Sequence, residues 1–229
     1  MKTIGLIGGM SWESTVTYYQ IINEVVKSEL GGLHSAKCLL YSVDFAEIEK
    51  CQAENDWEKS AQILSEAASS LERGGADFIV ICTNTMHKVA SQIGNAVSVP
   101  ILHIAEMTAL ELKKQGITKV GLLGTRYTME QDFYKQVLVE YDIEVLIPEG
   151  EDLQTVHDVI YNELCLGILK ETSRKAYIRI IDGLKDRGAK GVILGCTEIG
   201  LLINQGHTTV PLFDTTLIHA NYAARKAIV

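Results

Sequence analysis

Two stretches of this chain copy each other, and that repeat limits the possible folds more than any other feature. The first reads Gly75-Ala76-Asp77-Phe78-Ile79-Val80-Ile81-Cys82-Thr83-Asn84-Thr85. The second reads Gly188-Ala189-Lys190-Gly191-Val192-Ile193-Leu194-Gly195-Cys196-Thr197-Glu198. Laid together without a gap they are offset by 113 positions, and Cys196 falls on Thr83. Each begins with glycine turn chemistry behind an arginine, runs through a short apolar strand and breaks into small polar residues.

The flanking segments repeat as well. Lys119–Gly124 echoes Thr3–Gly8, with Gly121 on Gly5 and Gly124 on Gly8. Val210-Pro211-Leu212-Phe213 echoes Val99-Pro100-Ile101-Leu102. Between these strands lie segments with apolar residues at helical spacing, such as Tyr18, Ile21, Ile22 and Val25. Strands alternating with helices predict an α/β fold of parallel sheets joined by crossovers. A repeat of more than 100 residues is too long for a solenoid and predicts two pseudo-symmetric domains, each a parallel sheet flanked by helices. The expected division gives residues 1–99 with 210–229 to the first lobe and 100–209 to the second. Ligands of open parallel sheets bind beyond the carboxyl ends of the strands. The active site is therefore expected in the inter-domain cleft, with Thr83 and Cys196 on opposite walls.

Composition removes several function classes. A net charge of −8 over 229 residues argues against a nucleic-acid partner, which needs a basic face. No apolar run reaches the roughly 18 residues of a membrane span, so no membrane association is expected. Met1-Lys2-Thr3 leads straight into a strand, without the pattern of a signal peptide. Five cysteines, an odd number without framework spacing, fit reduced thiols and a cytoplasmic location. Neither Cys-x-x-Cys nor His-Glu-x-x-His occurs, so no metal site is expected.

The strand ends hold the residues with chemistry. Cys196 ends a strand and begins a turn into a helix, whose amides are expected to lower its pKa and enrich the thiolate. The alternative is a small buried hydrophobe, as most free cysteines are. Asn84 and Thr85 can hold an anionic group at a helix N-terminus, or simply cap that helix, and both can hold at once. His87 reads as a satisfied helix residue. Cys82 points away from Thr83 by strand alternation and reads as core; Cys38, Cys51 and Cys165 read as packing. The turns Gly8-Gly9-Met10-Ser11 and Gly124-Thr125-Arg126 offer backbone amides to a carboxylate. They lack the Gly-x-Gly-x-x-Gly dinucleotide pattern, and Arg126 reads as a rim residue.

Gly8-Gly9-Met10, Asn84-Thr85-Met86-His87 and Gly195-Cys196-Thr197-Glu198 together resemble the aspartate/glutamate racemase family, and the resemblance covers the whole chain. Gly8-Gly9-Met10-Ser11-Trp12-Glu13-Ser14-Thr15 resembles its enterobacterial branch, which includes broad-specificity amino-acid racemases. The resemblance implies an isomerase that needs neither pyridoxal phosphate nor any other cofactor. It also implies a homodimer acting on a small amino acid, aspartate or glutamate. In that family two cysteines, one per lobe, flank the substrate α-carbon. The first motif is ordinarily Cys-Asn-Thr-x-His; here Thr83 holds the cysteine position. The implied catalytic pair is Cys196 and Thr83, with Met10, Gln52, Asn84, Thr85, Thr125 and Thr197 binding substrate. A basic residue that some members aim at the substrate side chain is absent from Glu163-Leu164-Cys165-Leu166-Gly167, and Gln52 offers a neutral donor instead. By the same resemblance Cys196 faces the α-proton of the L-amino acid, so L-to-D conversion is expected to be favoured. Two other readings stay open: a single-thiol decarboxylase or isomerase of a dicarboxylate, and a non-catalytic amino-acid-binding protein.

Overall fold

The computed structural model describes residues 1–229. Strands and helices alternate from end to end. The first half runs β1 (Ile4–Gly8), α1 (Trp12–Leu30), β2 (Cys38–Ser42), α2 (Phe45–Ala53), α3 (Trp57–Arg73) and β3 (Phe78–Ile81). A 3-10 turn at Thr85–Val89 leads into α4 (Ala90–Asn95) and β4 (Ile101–Leu102). The second half runs α5 (Ile104–Lys114), β5 (Lys119–Gly124), α6 (Arg126–Glu130), α7 (Asp132–Glu140), β6 (Glu144–Leu146) and α8 (Glu151–Asn162). It closes with α9 (Glu171–Asp186), β7 (Val192–Gly195), α10 (Ile199–Leu202), β8 (Leu212–Asp214) and α11 (Thr215–Ile228).

The strands form two four-stranded sheets of the same order, β2-β1-β3-β4 and β6-β5-β7-β8, and every pairing is parallel. Parallel neighbours need crossover helices, which cover both faces of a sheet. The central strands accordingly read as unbroken apolar runs: all residues of β1, β3 and β7 are buried. The helices contribute one apolar stripe each. In α3 it is Ala61, Leu64, Ala67, Ala68 and Leu71, which join Ile7, Ile79 and Ile81 in one core. In α9 it is Tyr177, Ile180, Ile181 and Leu184, packed with Leu123, Val192 and Leu194 in another.

Contacts divide the chain into two compact units, Met1–Ile104 with Thr216–Val229, and Ala105–Thr215. The expectation that Val210–Phe213 returns to the first lobe is corrected. β8 pairs with β7, setting Val192 opposite Leu212 and Ile193 opposite Phe213, and the Val192 amide donates to the Pro211 carbonyl at 2.8 Å. Each Val-Pro strand closes its own sheet: β4 pairs with β3 through Ile79–Ile101 and Val80–Leu102. Only the last helix returns, where the Lys2 amide donates to the Ala227 carbonyl at 2.8 Å. Two helical segments are not single helices. The segment after Thr83 starts as a 3-10 turn, and the run through Tyr141 is interrupted by the extended backbone of Gln131.

The turn after β1 fits only glycine. At Gly9 φ is +93°, and an added Cβ would lie 2.2 Å from the Val43 carbonyl oxygen. Gly75 has nearly the same φ, +94°, with nothing within 4 Å of that position. Both alanine substitutions carry the left-handed backbone cost, and only Gly9→Ala adds a backbone clash. Gly9→Ala should therefore destabilise by roughly 2 kcal/mol more than Gly75→Ala, measured from urea unfolding midpoints.

Candidate active site

In an open parallel sheet, the crevice for a ligand opens where the strand order reverses, at the carboxyl ends of the two central strands. In the first sheet these are β1 and β3. Gly8-Gly9-Met10-Ser11 follows one, and Thr83-Asn84-Thr85 follows the other. In the second they are β5 and β7, where Gly124 pairs with Gly195. Thr125 follows the first of that pair and Cys196 the second. The repeat therefore places Thr83 and Cys196, with the turn residues beside them, each at the switch point of its own sheet.

In the first unit the β1 turn is tied down by the Gly9 amide, which donates to Thr15 Oγ1 at 2.9 Å. Met10 is buried in the same core as Met86. Gln52, on α2, is buried and donates through Nε2 to the Met86 sulfur at 3.0 Å. Thr83, Asn84 and Thr85 are all buried. Asn84 has helical φ and ψ and makes no side-chain capping bond, so the simple helix-cap reading does not hold. His87 fastens the turn instead. Its Nδ1 lies 2.8 Å from the Thr83 carbonyl oxygen, and the Ile104 amide donates to its Nε2 at 3.2 Å. Burial, then His103 and His219, hold the His87 pKa well below the ordinary histidine value.

In the second unit Thr125 caps α6, accepting from the Thr128 amide at 3.3 Å. Cys196 donates its S–H to Glu198 Oε2 at 3.0 Å, and Thr197 donates its hydroxyl to the same oxygen at 2.8 Å. Glu198 is only 3% exposed, so its carboxylate depends on such donors for its solvation. Burial pushes the Cys196 thiol well above its ordinary pKa, and the adjacent Glu198 charge pushes it further. The expected enrichment of thiolate by helix amides is thus corrected. The helix that follows has four residues, too few for a useful dipole, and an anion faces the sulfur. The resting group is a thiol aimed at a carboxylate. Cys82 is fully buried with its thiol raised by desolvation, as a core cysteine should be.

The profile of the Asp/Glu/Hydantoin racemase family matches residues 7–223, nearly the whole chain. The chain belongs to this racemase family. The crystal structure of a candidate Asp/Glu racemase from Yersinia pestis superposes with a TM-score of 0.94 at 59% identity, covering 100% of both chains. An aspartate racemase homologue from Pyrococcus horikoshii superposes at 0.87 with 37% identity, again over 100% of both. Among curated sequences, the broad specificity amino-acid racemase RacX of Bacillus subtilis is 23% identical over 223 residues, 93% of this chain and 92% of its own.

Of the residues singled out in this racemase-family chain, Met10, Gln52, Thr83, Asn84 and Thr85 lie in the first unit. Thr125, Cys196 and Thr197 lie in the second. No lysine or arginine is buried in either unit, and Gln52 is a buried neutral amide on α2. Glu198 is the residue that motif reading passed over. It was visible as the last letter of Gly-Cys-Thr-Glu, but its side chain turning back onto the sulfur two positions earlier was not. If Glu198 holds the proton on Cys196, Glu198→Gln removes the repelling charge and the apparent thiol pKa falls, while burial keeps it above the exposed-cysteine value. Iodoacetamide labelling of Cys196 against pH, followed by peptide mass spectrometry, should show the midpoint moving down in the variant; an upward shift or none refutes the pairing.

Proposed function

We propose that the protein racemises aspartate or glutamate without a cofactor, with Cys196 as the base that takes the α-proton of the L-substrate. The observation that carries this reading is the Cys196–Glu198 contact at the end of a central strand, in a chain of the racemase family. A thiol held protonated needs a proton acceptor before it can serve as a base. Glu198 is the acceptor already hydrogen-bonded to it. With the proton moved to the carboxylate, the thiolate is free to abstract from carbon.

Thr83 holds the position of the second cysteine and acts on the other face of the α-carbon. Its hydroxyl is too weak an acid to become an alkoxide that removes a carbon-bound proton. It can still relay a proton to a carbanion, giving up its own as it takes one from a water in exchange with solvent, so that no free alkoxide is left. Replacing one good acid/base partner by a poor one costs roughly 10²–10⁴ in rate. That loss falls on deprotonation of D-substrates, so the enzyme works faster from the L side although the equilibrium ratio is unchanged. Asn84, Thr85, Thr125 and Thr197, with the backbone amides of the two glycine turns, supply donors for the substrate carboxylates. Gln52 and Met10 border the side chain, and a neutral amide there fits a binding pocket that does not demand a full positive charge. RacX, a curated relative of broad amino-acid specificity, supports an amino-acid substrate. We take the working form to be a cytoplasmic homodimer, as the family resemblance implies.

Proton NMR in deuterium oxide tests this directly. L-aspartate or L-glutamate should lose its α-proton signal in a reaction that Cys196→Ala abolishes, with the D-enantiomer exchanging at least tenfold more slowly. Equal, fast exchange of both enantiomers contradicts the assigned asymmetry. Thr83→Cys should raise activity on the D-enantiomer; no gain places Thr83 off the reaction path. Carbon dioxide release from a substituted malonate, without amino-acid exchange, would favour the single-thiol decarboxylase. Tight amino-acid binding with neither reaction would favour a binding protein.

A further inference from the structure

His87 has no part in the chemistry above, yet both of its ring nitrogens are committed. Nδ1 faces the Thr83 carbonyl at 2.8 Å, and a carbonyl only accepts, so Nδ1 carries the proton. Nε2 faces the Ile104 backbone amide at 3.2 Å, and an amide only donates, so Nε2 is bare. The two bonds together select one neutral tautomer. His219 takes the opposite one. Its Nε2 lies 2.8 Å from the Leu102 carbonyl and so is protonated, which leaves Nδ1 to accept from the Tyr18 hydroxyl at 2.9 Å. The two histidines thus bind successive backbone groups of one segment, Leu102 to Ile104, from two sides. His103 lies on that segment with its ring centroid 4.6 Å from that of His87, while the His219 ring is 5.8 Å from His87.

We propose that His87 is a positioning residue for Thr83, a neutral imidazole that fixes the end of β3 by bridging the Thr83 carbonyl to the Ile104 amide. The inference rests on the racemase reading, because Thr83 needs accurate placement only if it serves the face of the α-carbon opposite Cys196. A merely space-filling ring would need neither bond. The bridge exists only in the neutral form: protonating Nε2 would set two donors against each other at Ile104. The titratable groups packed around the ring, His103 and His219 with Tyr18 behind the latter, carry no negative charge near neutral pH to favour an imidazolium. Burial works in the same direction.

Nitrogen NMR of the unaltered protein labelled at histidine tests the bridge. His87 should show a protonated Nδ1 and a bare Nε2 from pH 5.5 to 8. Titration within that range, or the other tautomer, overturns the proposal. Two variants test the role. In His87→Asn the side-chain amide can replace the Nδ1 donor to Thr83, whereas in His87→Gln the side-chain oxygen can replace only the Nε2 acceptor. Misplacing a reacting group by about an ångström costs up to roughly 100-fold. His87→Gln should therefore lose roughly 10- to 100-fold in L-to-D conversion while keeping Cys196-dependent exchange of the L-substrate α-proton within about threefold. His87→Asn should recover most of that conversion. Equal loss of exchange and conversion in a folded variant, or no loss of either, overturns the role alone. A parent protein that exchanges no L-substrate proton removes the racemase reading itself and the role with it. If neither variant folds, the nitrogen spectrum decides.

Discussion

The pairing of two apolar strands in parallel, with both faces covered, governs everything else in each half of this chain. β1 and β3 are buried along their whole length, as is β7, and β5 is buried from Val120 onward. Parallel pairing also forbids a tight hairpin, so each strand must be followed by a crossover. Polar residues can enter the centre of the sheet only where these strands stop, and they stop at the same edge. The switch point is thus where buried strand and polar turn meet, and it is where Thr83 and Cys196 fall. Gly5 and Gly121 show how tight the sheet-helix packing is. A Cβ on Gly5 would lie 2.8 Å from the Ile79 side chain, and one on Gly121 2.9 Å from Leu184.

Placing polar groups at a buried edge has an electrostatic consequence. Groups cut off from water must be solvated by neighbours or lose their charge. Both outcomes occur here. Three neighbouring histidines of the first unit, His87, His103 and His219, are held neutral, with burial taking His103 to about 4 and His219 to about 3. In the second unit the carboxylate of Glu198 keeps two donors on one oxygen, and one of them is the Cys196 thiol. A sulfur in this setting is not a standing nucleophile. Hydrogen-bonded to the carboxylate and with its pKa raised, it rests as a thiol.

Much of the architecture is legible in the residues because it depends on local patterns. Phe78-Ile79-Val80-Ile81 and Val192-Ile193-Leu194 are too apolar and too short to be anything but buried strands, and the repeat identifies their neighbours. The position of β8 is not legible in the same way. Val-Pro at its start looks alike in both copies, and only the hydrogen bonds to β7 determine which sheet it completes. The break at Gln131 depends on one backbone torsion inside a run that has helical periodicity throughout. At the site, residue types and strand-end positions can be read directly, but protonation cannot. A cysteine at a strand-helix turn suggests a thiolate until the side chain of Glu198 is known to fold back on it. A histidine four residues after Thr83 suggests ordinary helix packing until both of its nitrogens are found to be occupied.

The replacement of a cysteine by threonine between two such settings has a physical logic. In the first unit Thr83 is anchored through its own carbonyl, by a ring with no charge to lend. A thiol at position 83 would have no carboxylate two residues on, since Thr85 occupies that place. A hydroxyl needs no such partner, because it stays protonated at any physiological pH and can pass a proton from solvent. The two halves of the repeat therefore differ at this position, a thiol beside a carboxylate in one and a hydroxyl without one in the other. On the proposed mechanism the two enantiomers then differ in how fast their α-protons exchange, while net conversion in both directions still obeys the equilibrium.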